Sequence, residues 1–258
     1  MEVKLIDYTG AGTADPARHA ANVLVFTKGT RLNMVPSLMA EIEAKPWSEI
    51  ETELEYMANT IPSSWEFVSY TFLINGVTRA FTHQFVRTRT GSYAQQTMRV
   101  LDVDGWDYLT GPSIKPSEGQ DYVGSREEVY DCTMGAIDTA YRALIMNGAK
   151  IEDARGILPT NILTNIVAKF DLRTFSDTQR KRASSRTQGE YRDVMEAMRA
   201  EVIRVHPWAT MFLERTFDKA AAELEAEIIS MKGRAPEGIS DEKATNLIKL
   251  IDQLRMTA

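Results

Sequence analysis

Apolar and polar positions along the chain recur with two periods, and the switches between them predict its elements. "VKLIDYT" (Val3–Thr9) alternates and predicts an opening strand. "ADPARHAANVLVFTK" follows as a helix, with Asp15 at the N-cap and Pro16 at the first helical position. Trp47–Ile61 predicts an acidic amphipathic helix. The β-branched and aromatic run Phe67–Asn75 predicts a buried strand that Gly76 ends. Beyond it Val77, Ala80, Phe81, Phe85 and Val86 fall near one helical face, and Arg79, His83, Arg87 and Arg89 mostly elsewhere. This predicts a helix that Gly91 stops, then a strand from Thr97 to Leu101.

Asp102–Gly124, broken by glycines and prolines, predicts a loop. Ser125 opens a long helix through a capping box with Glu128, and the helix runs to Asn147 before Gly148. "IEDARGIL" predicts a short helix ahead of Pro159, and Thr164–Leu172 a strand. Ser176–Val205 reads as largely helical, and a further helix runs from Pro207 to Lys232. "GRAPEG" then serves as a linker to an amphipathic helix over Asp241–Met256. The irregular mixture predicts a mixed α/β (α+β) fold with a helical C-terminal half. One domain is expected over 1–232, with linker and terminal helix over 233–258.

A net charge of −6 over 258 residues argues against a protein that coats nucleic acid or a membrane by bulk charge. No apolar run approaches the roughly 20 residues of a membrane span. The single cysteine, Cys132, permits no intramolecular disulfide, and its mid-helix position predicts a small buried residue. With no signal-peptide pattern, a reducing cytoplasm is expected, or a host's cytoplasm for a viral chain. His19, His83 and His206 lie far apart, so no metal site is expected.

Positive charge is nevertheless clustered. "RAFTHQFVRTRTGSYAQQTMRV" (Arg79–Val100) holds four arginines and three glutamines within 22 positions. Like charges at such spacing repel by a few tenths of a kcal/mol per pair, so the cluster calls for an anion. A guanidinium fork matches two phosphate oxygens, and Gln84, Gln95 and Gln96 add the neutral donors and acceptors that a base or sugar needs. A second cluster lies at Arg173, Arg180, Lys181, Arg182 and Arg186, where a basic helix face is the plain alternative. Glu152 and Arg155, three apart, read by themselves as a helix salt bridge. There is no Gly-x-Gly-x-x-Gly fingerprint for a dinucleotide. The residues alone point to a cytosolic protein that binds a nucleotide or phosphate.

"THQFVRTRTGSYAQQTMRV" resembles the signature of the flavin-dependent thymidylate synthases, in which Arg-His-Arg is followed by seven residues and then Ser. Here Arg87, Thr88 and Arg89 are followed by seven residues and Thr97, with Arg99 two positions on. "SSWEFVSYTF", "IEDARGILPTN" and "FDLRTFSDTQRKRASSRTQGEYRD" are similar to further family segments in the same order, across roughly residues 1–215. The resemblance implies a central sheet flanked by helices, FAD, methylenetetrahydrofolate as carbon donor, NADPH as reductant, dUMP as substrate and a homotetramer with shared active sites. It implies Ser63, Glu66, Arg87, Thr88, Arg89, Gln95, Asp171, Arg173 and Asp177 around FAD. It implies Gln84, Arg87, Gln95, Gln96, Thr97, Arg99 and Arg155 on the nucleotide, and Arg182 as the catalytic arginine over the pyrimidine.

Departures from the family pattern cluster at these positions. Thr88 stands for histidine, Thr97 for serine, Val100 for tyrosine, Phe67 for histidine, and Ile61 and Asp177 replace other usual residues. They leave open a related dUMP or dCMP methylase or hydroxymethylase. A catalytically dead nucleotide-binding protein, or a nucleic-acid-binding one, also stays open.

Overall fold

The computed structural model describes residues 1–32, 34–99, 107–115, 125–182, 187–214, 224, 226–231 and 240–257. In chain order the elements are β1 (Glu2–Tyr8), α1 (Pro16–Gly29), α2 (Leu38–Glu43), α3 (Trp47–Thr60), β2 (Ser69–Thr78), α4 (Arg79–Phe85) and β3 (Ser92–Gln95). They continue with α5 (Arg126–Met146), α6 (Ile151–Ala154), β4 (Leu163–Asp171), α7 (Leu172–Arg182), α8 (Gly189–Val205), α9 (Thr210–Leu213) and α10 (Asp241–Thr257). The strands form one sheet in the order β1-β2-β4-β3. Pairings Val68 with Leu172 and Arg79 with Ile162 run in opposite directions, so β2 and β4 are antiparallel. This is the mixed α/β class expected, and the chain divides into two compact units.

The first unit comprises Met1–Val3 and Leu73–Ala168. Its core holds Ile74, Val77, Phe81, Phe85, Ile166 and Ala168, all buried, and Phe81 stacks on Phe85 with ring centroids 4.9 Å apart. The alternation of β4 is visible as successive buried and exposed positions. The second unit comprises Lys4–Phe72 and Lys169–Ala258. There Tyr70, Phe72 and Phe175 pack together, with Phe72 stacked on Phe175 at 5.7 Å. His206, fully buried, meets the Tyr70 hydroxyl at 2.9 Å through Nδ1 and stacks on Trp208 at 5.2 Å. Burial pulls its pKa down to about 4, because the protonated ring would lose its hydration.

The α1 cap forms as expected, with the Asp15 carboxylate accepting from the Arg18 N–H. Ser125 likewise accepts from the Glu128 N–H at the start of α5. Elsewhere the structure corrects the sequence reading. Gly76 has φ 65° yet does not end its strand, which runs on to Thr78. Its N–H, turned out of the ladder, donates to the Asn165 side chain at 3.0 Å, which keeps the strand together through the kink. Phe67 belongs to a 3₁₀ turn (Pro62–Phe67) before β2 and is 61% exposed, so it is no buried strand residue.

The helix expected to run to Gly91 stops at Phe85, and β3 lies at Ser92–Gln95, ahead of the expected start at Thr97, with residues 97–99 outside any strand. Anchoring outweighs β-propensity here: the Tyr93 hydroxyl donates to the Phe85 and Thr88 carbonyls at 3.1 and 2.8 Å. Residues 100–106 lie outside the described set, as do 116–124 of the expected loop and the "GRAPEG" linker. Helix α7 begins at Leu172, not Ser176, because Asp171 caps it, accepting from the Thr174 N–H at 2.7 Å. The helical stretch beyond it is two helices, since α8 starts afresh at Gly189. Of the helix expected from Pro207, a 3₁₀ turn (Pro207–Ala209), α9 and helical residues 226–231 are described. Cys132 is exposed rather than buried, because α5 turns only Met134 and Tyr141 fully inward. Ile228, Ala244 and Ile251 form a small separate core with Leu247 and Ile248 at the C-terminal end.

Candidate functional site

The expected site residues fall into two sets, one in each unit, and each set is organised within its own unit. In the first unit, Asn165 on β4 is the hub. Its backbone carbonyl accepts from the Gln96 N–H at 3.0 Å, and its side-chain amide donates to Gln96 Oε1, also at 3.0 Å. Gln96 is thereby fixed at both ends. Gln95 donates to the Thr82 hydroxyl at 2.9 Å. The Thr97 hydroxyl accepts from the Arg99 N–H at 3.0 Å, so the turn after β3 is held from within. Gln84 sits half-buried on α4.

Two of the arginines of this unit attach to Glu152, one at its carboxylate and one at its backbone carbonyl. Arg99 Nε lies 3.4 Å from Glu152 Oε2, and Arg155 Nε donates to the Glu152 backbone carbonyl at 3.1 Å. The expected helix pair between Glu152 and Arg155 is therefore replaced: the Glu152 carboxylate faces Arg99, 53 positions away. Arg87 and Arg89 are exposed, and among the described residues neither meets an acidic side chain. Thr88, in the place of the family's histidine, is half-buried and anchors the loop through its backbone, accepting from Gly91 N–H at 3.0 Å and from the Tyr93 hydroxyl.

In the second unit the charges are answered. Arg173 donates to Glu66 at 2.7 Å. Arg31 donates to the Ser63 hydroxyl at 2.8 Å. Asp177 meets Arg180 at 3.4 Å inside α7. Asp171 spends both carboxylate oxygens on Thr174, its Oδ2 accepting from the hydroxyl at 3.0 Å. Arg182, at the C-terminal end of α7, lies over the Tyr191 ring at 4.5 Å. A cation is favoured there by the ring's negative face. The second basic cluster is thus no open stripe: Arg173, Arg180 and Arg182 each have a partner, Lys181 is exposed, and Arg186 lies outside the described residues.

Sequence reasoning missed Asn165, Glu152 as the partner of Arg99, Arg31 and Tyr191. Only Asn165 had a usable signal, an amide at an outward position of an alternating strand. The others come from distant parts of the chain, where spacing says nothing.

Residues 4–208 match the family described as thymidylate synthase complementing protein. The flavin-dependent thymidylate synthase of Saccharolobus solfataricus is 36% identical over 210 residues, covering 80% of this chain and 74% of that protein. The enzyme of the same name from Sulfurisphaera tokodaii is 30% identical over 212 residues, covering 80% and 75%. That of Clostridium tetani is 32% identical over 155 residues, covering 55% and 61%. Against this last protein and that of Geobacter sulfurreducens, the chain spans about three fifths of the relative's length. Helix α10 lies beyond the matched residues. No helix among the described residues is long and apolar enough to cross a membrane.

Proposed function

The chain belongs to the thymidylate synthase complementing protein family, and on that premise we propose that it transfers a one-carbon unit from methylenetetrahydrofolate to carbon 5 of dUMP, giving dTMP, with FAD as cofactor and NADPH as reductant. The observation that carries this reading is the network around Asn165 and Glu152. Asn165 fixes a neutral amide, Gln96, and Glu152 holds two guanidiniums, Arg99 at its carboxylate and Arg155 at its backbone carbonyl. Neutral amides read a base or sugar, and guanidiniums a phosphate, so the set suits a nucleotide monophosphate.

The residues present also suit FAD. Arg87 and Arg89 offer two exposed cations to its diphosphate, and backbone anchoring through Tyr93 holds their loop. Ser63, Glu66, Asp171, Arg173 and Asp177 supply hydroxyl, carboxylate and guanidinium groups of the kind that hold the remaining polar edges of a flavin dinucleotide. When bound there and reduced by NADPH, the flavin would supply hydride-transfer chemistry.

The chain's own contribution is positioning and charge. Arg182, braced on Tyr191, offers a fixed cation to the negative charge that develops on the uracil ring as carbon 5 attacks. A preorganised cation needs no reorganisation at that moment. Asp177 meets Arg180 within α7, so the carboxylate that a cytosine amino group would need is already engaged by a cation. The reading includes a cytoplasmic homotetramer with active sites shared between subunits.

The test is turnover by the purified, FAD-loaded full chain with methylenetetrahydrofolate and NADPH, offering dUMP and dCMP separately and weighing the products. dTMP from dUMP alone is expected, from an assembly of four subunits by native mass spectrometry. A hydroxymethyl product, or turnover of dCMP, transfers the case to the modified-pyrimidine readings. Tight dUMP binding without any product transfers it to a binding protein.

A further inference from the structure

Arg79 is absent from the positions that the family resemblance marks, yet it is among the most constrained cations in the first unit. It stands where β2 passes into α4. Its N–H donates to the Ile162 carbonyl at 3.1 Å, and the N–H of Ala80 donates to Thr160 at 2.8 Å. The backbone is thus pinned on both sides of the junction. Its guanidinium donates through Nη2 to the Gln96 carbonyl at 2.7 Å. Its Nε is buried and has no hydrogen-bond partner. Burial, and then the nearby Arg155 charge, both act against its protonated form. A charged donor left in that state costs stability unless something else answers it.

The charges around it show what is missing. Arg99 and Arg155 both attach to Glu152, and Arg155 in turn presses on Arg79. The Glu152 carboxylate meets Arg99 alone, while Arg155 reaches only the Glu152 backbone carbonyl and Arg79 the Gln96 carbonyl, so among the described residues two of these three guanidiniums have no carboxylate partner. A phosphate monoester carries about −1.5 to −2 near neutral pH. It closes this balance, whereas an uncharged nucleoside does not.

We propose that Arg79 is a positioning and charge-setting residue for the nucleotide's phosphate. It would hold the Gln96–Thr97 turn through the Gln96 carbonyl and supply, with Arg99 and Arg155, the charge that Glu152 leaves over. This rests on the nucleotide reading above. Arg79 acts at the phosphate end and leaves recognition of the base to other residues.

The experiment is calorimetric titration of the FAD-loaded full chain with dUMP and, in the millimolar range, with deoxyuridine, which lacks the phosphate. It compares wild type, Arg79→Gln and Arg79→Lys. Arg79→Gln weakens dUMP by about 10- to 100-fold, as loss of a charge-assisted contact should, and leaves deoxyuridine within about twofold. Arg79→Lys keeps the charge but not the planar fork, so its dUMP affinity lies between the two. If Arg79→Gln does not fold, Arg79→Lys carries the test, with a loss for dUMP and none for deoxyuridine. Equal losses for both ligands would make Arg79 a merely structural residue and overturn the proposal, as would unchanged dUMP affinity. A wild-type chain that binds neither ligand would instead remove the nucleotide reading itself, and this proposal with it.

Discussion

Arginines at the turn after β3 and arginines on α7 belong to one residue type, yet the structure treats them differently. On α7 and its surroundings each described arginine has an answer: Glu66 for Arg173, Asp177 for Arg180, the Tyr191 ring for Arg182. Around the turn after β3, Arg87 and Arg89 are unpaired by acids among the described residues, Arg99 meets the Glu152 carboxylate, and Arg155 reaches only the Glu152 backbone carbonyl. Compensated arginines are held in place, and one held cation can act on a reacting ring. Uncompensated arginines wait for an anion. Composition hides this division, because the chain as a whole is acidic.

Four changes would break or sharpen that contrast. The largest effect is expected from Arg182→Ala. It removes a preorganised cation, so kcat should fall by about 100- to 1,000-fold while FAD binding persists. Single-turnover rates on a flavin-loaded variant read this directly, and a loss below about tenfold would mean that Arg182 is only bracing α8.

Next comes the neutral core on which the compensated region rests. The folded pKa of His206 is about 4, below the ordinary value of 6.5. Between those values the unfolded chain takes up the proton and the folded chain does not, so the unfolded state is favoured as pH falls. Stability present above pH 6.5 should therefore decline by about 3 kcal/mol on the way to pH 4. Urea denaturation at a series of pH values measures it, and His206→Phe should flatten that part of the profile.

A smaller effect is expected in the uncompensated region. Arg99→Ala should weaken dUMP about tenfold through the loss of one charge, without lowering the melting temperature, because Arg99 is 70% exposed at its side chain. Calorimetry and a thermal melt on one preparation separate the two. The smallest belongs to Glu66→Gln. Its pair with Arg173 is exposed on both sides, so stability should change by less than about 1 kcal/mol, and high salt should erase the difference.

Much of this was legible in the residues. Alternation located β1 and β4, the Asp15 and Ser125 caps marked two helix starts, and the spacing from Arg87 to Arg99 carried the family. What failed did so where one distant contact outweighs a local rule. Gly76 reads as a stop, but the Asn165 amide, 89 positions away, carries the strand through it. Tyr93 sets β3 by reaching back to α4, although the β-branched residues lie further on. The Glu152–Arg155 spacing suggests a helix pair, and Arg99 wins the carboxylate because the fold delivers it there. Partners of the site arginines were illegible for the same reason, since nothing near Arg182 in sequence points to a ring nine residues on across a helix break.

Colour is the first thing to measure. The full chain, purified without added cofactor, should show the visible absorption of oxidised flavin or acquire it on mixing with FAD. That absorption should bleach when NADPH, dUMP and methylenetetrahydrofolate are supplied without oxygen, and dTMP should form. A protein that stays colourless with FAD added would mean that Thr88 and its neighbours do not hold the cofactor, and the flavoenzyme reading would fall.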